Sequence, residues 1–124
     1  MRSIPNVYAV TDASPAAGMP DGDYRLGMQN VRKCGNGVRL EDGTLAGSSL
    51  TMMQAFRNLV EMGLSIEEAS RRTSTIAADY LGLADRGRIV PDAIADFVVL
   101  DEALELKIVC LRGTLHDALE QTPV

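Results

Sequence analysis

The sequence predicts an α/β protein, and three stretches of the chain carry that prediction. An apolar, β-branched run over residues 7–11 is typical of a parallel strand buried on both faces, and it ends at Asp12. Apolar residues recur at helical spacing from Leu50 to Val60, which indicates an amphipathic helix. Residues 95–111 form two β-rich runs separated by a short polar turn.

The length and composition describe one ordinary globular core. With 124 residues, 46% hydrophobic and 23% charged, the chain falls short of the roughly 250 residues of a complete β/α barrel. The net charge of −5 comes with scattered Lys and Arg residues, which argues against a nucleic-acid partner. Cys34 and Cys110 lack metal-type spacing, so we expect two reduced thiols, with a disulfide as the open alternative.

The sequence also argues against a membrane location. Every apolar run is shorter than the roughly 18 residues of a spanning helix. The first residues lack the basic-then-apolar pattern of a signal peptide. We therefore expect a cytoplasmic protein with no membrane partner.

After the first strand, the sequence predicts a loop and a hairpin. Residues 14–22 combine Pro and Gly too densely for a helix or strand, and they follow the carboxyl end of the first strand, where α/β folds place their sites. Residues 29–33 and 38–41 flank a turn over 34–37, in which the Asn36-Gly37 pair favours a hairpin.

The middle third of the chain predicts helices. Ser48 or Ser49 can cap the first helix, and Gly63 suits the left-handed position past its end. A capping box over Ser65–Glu68 starts a second helical region, which residues 73–75 either continue or divide before Gly82 ends it. Strands over 95–100 and 106–111 follow, with 101–105 as their turn.

Asp12 is the sharpest candidate for chemistry. A carboxylate at the end of an apolar strand is partly desolvated, which raises its pKa toward the range useful for proton transfer. The alternative is an ordinary Asx turn, in which Asp12 caps the loop amides around Ser14 and Ala16.

A glycine-bracketed stretch from Gly43 to Ser48 is the second candidate. Small residues allow close approach of a ligand to the backbone, and a helix that begins there would favour an anion. A plain helix-start turn remains the alternative.

The other polar residues suggest no site. His116, the only histidine, reads as a surface residue, so we expect no intrinsic metal site. Asp85, Arg86, Arg88 and Asp96 surround Gly87, either as solvated turn charges or as a salt bridge between the helical part and the last hairpin.

Several motifs taken together resemble one family. The chain resembles the N-acetylglucosamine-6-phosphate deacetylases of the amidohydrolase superfamily, over nearly its whole length up to Gly113 but only with the carboxyl-terminal third of such an enzyme. The motifs are Val10-Thr11-Asp12-Ala13, the stretch Gly43–Met52 with Leu45-Ala46-Gly47-Ser48, Arg57–Val60, and Gly87–Pro91 with Ala95–Leu100.

The resemblance implies a fold and an activity. It implies a carboxyl-terminal fragment of a metal-dependent-hydrolase (β/α)8 barrel plus strands of a small β-sandwich domain. The complete enzyme would deacetylate N-acetylglucosamine 6-phosphate to glucosamine 6-phosphate and acetate, with a divalent metal such as Zn²⁺. Asp12 matches the proton-shuttling aspartate, which takes a proton from metal-bound water and passes it to the leaving amine. Leu45, Ala46 and Gly47 match the segment that contacts the sugar.

Departures from the family pattern limit this interpretation. The metal-binding Glu and two His, the phosphate-gripping residues and the first six or seven barrel strands have no counterpart here. Ile76-Ala77-Ala78 replaces a usual Asn-Pro-Ala. Asp92 stands where a Pro-Gly turn is usual, so the loop after Pro91 is expected to be altered.

We therefore interpret the chain as the carboxyl-terminal portion of a deacetylase that is inactive alone and binds no metal alone. Residues 1–94 would hold the last barrel strand, a hairpin insertion and terminal helices, 95–113 the sandwich hairpin, and 114–124 a tail. Self-association, or association with the missing amino-terminal part, would cover its apolar faces. The alternatives are a non-catalytic structural or interaction module and a piece of another amidohydrolase.

Overall fold

The computed structural model describes residues 6–35 and 37–118 of the chain. It divides into two compact units, Ala9–Asn58 and a second unit made of residues 1–8 and 59–124. Both strands and helices are present, as the α/β prediction requires. The strand ladders, however, are antiparallel, and in the described residues the parallel pairing is a single bridge between Ala13 and Ser48.

The predicted first strand does not form. Residues 7–11 belong to no strand, and Val10 is 68% exposed although it was expected to be buried. A central parallel strand is stable only between neighbours that cover both of its edges and faces. The described residues supply a neighbour only at Ala13, so the apolar run stays without a ladder.

Four antiparallel strands form the sheet of the Ala9–Asn58 unit, in the order β1-β2-β3-β4. The strands are β1 Gly22–Leu26, β2 Gln29–Cys34, β3 Gly37–Leu40 and β4 Leu45–Ser48. The predicted hairpin is therefore confirmed as β2 and β3. Its register pairs Cys34 with Gly37, and Gly35 lies in the turn at φ 57°. Asn36 of the predicted turn lies outside the described residues.

One face of this sheet carries the core of the unit. Ala16, Val31 and Val38 are its buried residues, and Tyr24, Leu26, Leu40 and Ala46 pack against them. Val31 and Leu40 lie directly opposite each other across β2 and β3, as cross-strand pairs on one face do. Ala16 belongs to the predicted loop after Asp12, so the core fastens that loop to the sheet.

Asp21 ties the start of β1 to the turn between β2 and β3. Its carboxylate oxygens each accept from the Gly35 N–H at 3.1 Å, and one of them accepts from Lys33 Nζ at 3.2 Å. The Gly35 hydrogen bond, followed by the Lys33 ammonium, lowers the pKa of Asp21. Asp21 therefore keeps its charge to a lower pH than an ordinary aspartate.

The helix α1, Met52–Glu61, confirms the amphipathic pattern. Thr51 caps its start, because the Thr51 Oγ1 accepts from Gln54 N at 3.1 Å. The expected caps, Ser48 and Ser49, lie before this position, and Ser48 belongs to β4. At the other end Gly63, with φ 95°, and Leu64 donate back to Val60 and Leu59, which is the Schellman pattern.

The second helical region is continuous rather than divided. It comprises α2 Ile66–Ser70, a π-helical segment Arg71–Thr75 and α3 Ile76–Tyr80. Ser65 caps α2, since its hydroxyl accepts from Glu68 N at 3.2 Å, and Gly82 follows α3 at φ 71°. Residues 73–75, which the sequence offered as a break, instead lie in the wider π turn.

Gly87 lies directly against this π turn. Its carbonyl accepts from the Ser74 Oγ at 3.2 Å and the Thr75 Oγ1 at 2.5 Å. A Cβ on Gly87 would come 2.7 Å from the Ala78 Cβ. The hydroxyls that could have broken the helix therefore hold the loop that follows it.

The turn after Pro91 keeps the backbone that a glycine would give. Asp92 adopts φ 67°, and Ala93 N donates to Val90 O at 3.2 Å. In a type II turn the fourth residue donates to the first, proline is common at the second position, and the third has a positive φ. Val90 to Ala93 follow this pattern, with Pro91 second and Asp92 third. The expectation that this loop is altered is therefore wrong for its backbone.

Three antiparallel strands form the sheet of the second unit: β5 Phe97–Leu100, β6 Leu106–Leu111 and β7 Thr114–Asp117. β5 and β6 confirm the predicted hairpin. β7 falls in the stretch 114–124, so the prediction of a tail is wrong for Thr114–Asp117. Just before β7, Arg112 and Gly113 both have positive φ and form a tight two-residue turn between β6 and β7. Residues 119–124 of that tail lie outside the described residues.

The cysteines agree with the expectation of two reduced thiols. Cys34 is exposed, Cys110 is buried, and both are free thiols. Within the described part of the chain, each helix falls short of the length and apolarity that a membrane crossing needs.

Candidate functional site

The carboxylate of Asp12 lies at the surface of the Ala9–Asn58 unit. Asp12 is exposed, so the desolvation expected for the end of a buried strand is not present in this chain. Its backbone has φ 49°, in the left-handed region. Aspartate tolerates this region better than most residues, but it is still an uncommon conformation that neighbouring contacts must maintain.

The Asx-turn alternative for Asp12 is wrong. The Ser14 N–H donates to Ser48 O at 2.8 Å, and the Ala16 N–H lies 3.3 Å from the Ser14 Oγ. Neither amide is therefore capped by Asp12. Across residues 6–35 and 37–118, no hydrogen bond or ion pair holds the Asp12 carboxylate. That carboxylate is available to a ligand.

Strand β4 contains the second predicted site segment, Leu45-Ala46-Gly47. The sequence suggested a turn that begins a helix, whereas the structure has a strand and starts the helix only at Met52. The register pairs Val38 with Gly47 and Arg39 with Leu45, which leaves Ala46 as an extra residue in β4. Such a β-bulge bends the strand and changes where its side chains point.

Hydrogen bonds through Ser48 bring Asp12 and β4 together. The Ser48 N–H donates to Asp12 O at 2.9 Å, and the Ser48 Oγ donates to Thr11 O at 2.5 Å. With the bond from Ser14 N to Ser48 O, these contacts fix residues 11–14 along the outer edge of β4. Both predicted site segments therefore lie side by side in one compact unit.

Gly47 makes this close approach possible. Its φ of 135° is accessible essentially to glycine alone. A Cβ at this position would lie 3.3 Å from Asp12 O and 3.6 Å from the Ser14 Cβ. Beside it, Leu45 is 63% exposed, while Ala46 packs against the core of the sheet. The segment thus offers an apolar side chain and a bare backbone next to Asp12.

The turn before β4 is fixed by its own hydrogen bonds. The Thr44 N–H donates to Asp42 Oδ1 at 2.8 Å, and Arg39 Nη1 donates to Gly43 O at 2.9 Å. The Thr44 N–H also lowers the pKa of Asp42. A charged Asp42 at neutral pH therefore holds the turn that leads into Leu45.

A concave surface on the same sheet is lined by residues other than Asp12 and Leu45–Gly47. Its volume is about 580 Å³, and it is lined by Asp23, Tyr24, Arg25, Asn30, Val31, Arg32, Leu40 and Glu41. Arg32 is paired with Asp23 at 3.1 Å. Because its charges are mixed and partly paired, it does not present the concentrated positive charge that an anion site needs.

The described residues do not fit a metal ion. Among residues 6–35 and 37–118, no three His, Cys, Asp or Glu side chains lie close enough together to hold one. A catalytic zinc site normally requires three protein ligands. His116, which lies exposed on β7 opposite Val109, is a surface residue as predicted.

The charged cluster around Gly87 is structural. Arg88 pairs with Asp79 of α3, and Arg86 pairs with the adjacent Asp85 at 3.3 Å. Asp96 instead accepts from the Arg112 N–H at 2.7 Å, which fixes the turn between β6 and β7. These contacts tie loops within the second unit. The salt bridge expected between the helical part and the last hairpin is not among them, since Arg88 pairs with α3 and Arg86 with its neighbour.

Sequence reasoning missed the role of Ser48. The sequence offered Ser48 as a helix cap, because a serine before a helical pattern usually has that function. The signal that pointed elsewhere is Gly47 directly before it, since a glycine inside a β-rich stretch often marks a bulge or a close backbone approach.

Comparison with known proteins shows which family this chain resembles. A model of the amidohydrolase family matches residues 21–121. The chain is 39% identical over 107 residues to an N-acetylglucosamine-6-phosphate deacetylase of Lysinibacillus sphaericus. The aligned region covers 86% of this chain and 28% of that protein. It is also 39% identical over 111 residues to an N-acetylgalactosamine-6-phosphate deacetylase of Escherichia coli O157:H7, with 88% of this chain and 29% of that protein covered.

A solved structure gives the same result. The crystal structure of the N-acetylglucosamine-6-phosphate deacetylase from Thermotoga maritima superposes with a TM-score of 0.82 and 42% identity. The match covers 89% of this chain and 31% of that enzyme. The chain thus spans about a third or less of each of these three relatives. Because the family model matches most of its length, the chain belongs to the amidohydrolase family.

Proposed function

We propose that this chain is the carboxyl-terminal portion of a deacetylase that converts N-acetylglucosamine 6-phosphate to glucosamine 6-phosphate and acetate. The observation that carries the proposal is the junction at Ser48, which joins the backbone of Asp12 to the strand that contains Leu45, Ala46 and Gly47. The names of the relatives supply the reaction class.

Asp12 would move the protons of the reaction. Its carboxylate would accept a proton from the water that adds to the acetamide carbonyl. It would then return that proton to the amine nitrogen as the C–N bond breaks, so that acetate and the free amine leave. An exposed carboxylate without an internal partner is suited to this double role, because nothing in the described chain competes for it.

Leu45, Ala46 and Gly47 would contact the sugar. Gly47 brings bare backbone to the surface next to Asp12, and the exposed Leu45 side chain offers an apolar contact to a sugar ring. The bulge at Ala46 sets the direction of both neighbours. The segment would therefore place the acetamide relative to the Asp12 carboxylate.

The rest of the site would come from outside the described residues. The described residues hold no metal-ligand group, so the divalent metal proposed for the complete enzyme, Zn²⁺ or a similar ion, would be held elsewhere. We propose that residues 1–94 contribute the hairpin insertion and terminal helices, and that residues 7–11 become the last barrel strand only beside the rest of the barrel. The β5–β6 hairpin within residues 95–113, extended by β7, would belong to a small sandwich domain. The complete enzyme would be cytoplasmic.

Exposed apolar residues support a partner for this chain. Val10 is 68% exposed, Val98 52% and Leu115 63%. In a complete amidohydrolase, side chains in such positions would be covered by the remainder of the fold. Association with that remainder, or with further copies of the chain, would cover them here.

The test uses a two-part enzyme, defined as this chain combined with the part of the Thermotoga maritima deacetylase that it does not match. Acetate release is measured from N-acetylglucosamine 6-phosphate and from the galactosamine isomer, with Zn²⁺ present. We expect turnover by the two-part enzyme and none by either part alone, with the glucosamine substrate preferred. Turnover by this chain alone would refute its incompleteness. A stable two-part complex that lacks turnover would favour a non-catalytic module.

A further inference from the structure

Ser48 contacts the backbone on both sides of Asp12. Its Oγ donates to the carbonyl of Thr11, the residue before Asp12, at 2.5 Å. Its N–H donates to the carbonyl of Asp12 itself at 2.9 Å, and its own carbonyl accepts from Ser14 N at 2.8 Å. One residue of β4 thus makes three hydrogen bonds across four consecutive residues.

These contacts hold a conformation that the chain would not adopt unaided. A left-handed backbone is unfavourable for a non-glycine residue and persists where surrounding contacts fix it. Asp12 has φ 49°, and Ser48 binds the peptide groups that flank this dihedral angle. The direction of the Asp12 carboxylate therefore depends on Ser48.

The Ser48 hydroxyl adds a contact that the backbone of a strand alone does not make. Any amino acid but proline could donate its backbone N–H to Asp12 O, whereas the bond to Thr11 O requires a side-chain donor. The same Oγ accepts from Leu50 N at 3.1 Å, so its donor and acceptor functions are both used. The hydroxyl joins the Asp12 loop to the segment that enters α1.

We propose that Ser48 is a positioning residue, whose hydroxyl fixes the Asp12 backbone so that the carboxylate lies at the angle required for proton transfer. The proposal rests on the deacetylase role proposed above. Ser48 does not contact the reacting atoms. Its contribution is to keep Asp12 from sampling the extended and right-handed conformations that would turn the carboxylate away.

The first test measures the 124-residue chain by NMR. Ser48→Ala should move the Asp12 backbone out of the left-handed region, seen in Cα shifts and residual dipolar couplings. It should also speed amide exchange at Ser14 about five- to tenfold, because the loop opens more easily once the hydrogen bond from the Ser48 Oγ to Thr11 O is lost. Ser49→Ala is the matched control, because the Ser49 Oγ donates to Gly35 O at 3.1 Å and removes an equal bond from the same stretch.

The second test measures kinetics in the two-part enzyme. Ser48→Ala should lower kcat about 10- to 100-fold while KM changes less than about threefold, as expected when a reacting group is misplaced by about an ångström. Ser48→Thr and Ser48→Val are nearly equal in shape and differ in the hydroxyl, and only Ser48→Thr should restore kcat to within about threefold.

The outcomes separate this proposal from the deacetylase role. It is overturned if Ser48→Val turns over as fast as Ser48→Thr, if Ser49→Ala slows kcat as much as Ser48→Ala, or if Asp12 keeps its backbone angle in Ser48→Ala. An unmodified two-part enzyme without turnover contradicts the deacetylase role, and the NMR measurement then still decides whether Ser48 fixes Asp12.

Discussion

Asp12 O and Gly47 approach so closely that a single added methyl group would bring carbon within 3.3 Å of that oxygen. Ser48, the next residue, makes its hydrogen bonds to the Asp12 loop along the same edge of β4. The edge of β4 and the Asp12 loop therefore meet through backbone atoms at Gly47. A loop of this kind can be held accurately only where the neighbouring strand has no side chain in the way.

Substitution Gly47→Ala should therefore disturb both stability and the proposed site. Alanine cannot adopt φ 135° without strain, and its Cβ would press on Asp12 O. We expect the free energy of unfolding to fall by about 2 kcal/mol or more. Denaturant unfolding of the full chain measures this, and kcat of the two-part enzyme should fall with it.

Gly43→Ala is the matched control for that substitution. Gly43 also has a positive φ, of 85°, but a Cβ there would meet nothing within 4 Å. Only the backbone strain of an alanine at this φ should lower the free energy of unfolding, by about 1 kcal/mol, and kcat should be retained. Equal losses for the two variants would show that the contact with Asp12 carries no weight.

Gly87 should be the most sensitive glycine of the second unit. Gly87→Ala would place a Cβ 2.7 Å from the Ala78 Cβ and 3.1 Å from Ser74 O, so α3 or the π turn would have to move. We expect a loss of about 3 kcal/mol in thermal or chemical unfolding. Gly82→Ala, at φ 71° with open space around it, should cost only about 1 kcal/mol. A Gly87→Ala chain as stable as Gly82→Ala would contradict the close packing.

The ion pair between Asp101 and Lys107 should stabilise the β5–β6 hairpin over a limited pH range. The Lys107 Nζ lies 2.9 Å from Asp101 Oδ2, and the Glu105 N–H donates to Asp101 Oδ1 at 2.8 Å. The Lys107 ammonium first, then the Glu105 N–H, lowers the pKa of Asp101 below its ordinary value of 3.8. Asp101 in turn raises the pKa of Lys107 above its ordinary value of 10.5.

The sign of each shift sets the pH dependence. The depressed carboxyl contributes stability above pH 3.8, which is lost as the pH falls through its lower folded value. The raised ammonium contributes stability below pH 10.5, which is lost as the pH rises through its higher folded value. The Tm of the unmodified chain should therefore exceed that of Lys107→Met between these limits and converge with it beyond them. A constant difference across the whole range, or one unaffected by about 1 M salt, would contradict a charge effect.

The sequence predicted elements whose determinants lie within a few neighbouring residues. The α1 helix, its end at Gly63 and the cap at Ser65 follow from side-chain spacing and local hydrogen bonds, and all three are confirmed. Hairpins β2–β3 and β5–β6 follow from alternating runs bounded by turn residues. Local reasoning also singled out Asp12 and the stretch Gly43–Ser48, and the family resemblance narrowed the second to Leu45–Gly47. The structure brings the two segments side by side.

The errors occur where the structure depends on distant parts of the chain. Residues 7–11 have the composition of a central strand, but the ladder needs neighbours that the described chain lacks. Residues 43–48 read as a turn because Gly43 and Gly47 bracket them, yet β3 and the Asp12 loop recruit Leu45–Ser48 as a strand. The π turn over 71–75 is stabilised in part by Gly87, which is far from it in sequence.

Turnover by an Asp12→Asn variant of the two-part enzyme tests the central claim most directly. Asparagine keeps the shape and tolerates the left-handed backbone but cannot accept the proton. Asp92→Asn is the control, since Asp92 is also exposed and left-handed, at φ 67°. We predict that Asp12→Asn lowers kcat at least about 100-fold at unchanged Tm, while Asp92→Asn stays within about twofold of the unmodified enzyme. An Asp12→Asn enzyme that turns over as fast as the Asp92→Asn enzyme would contradict the account.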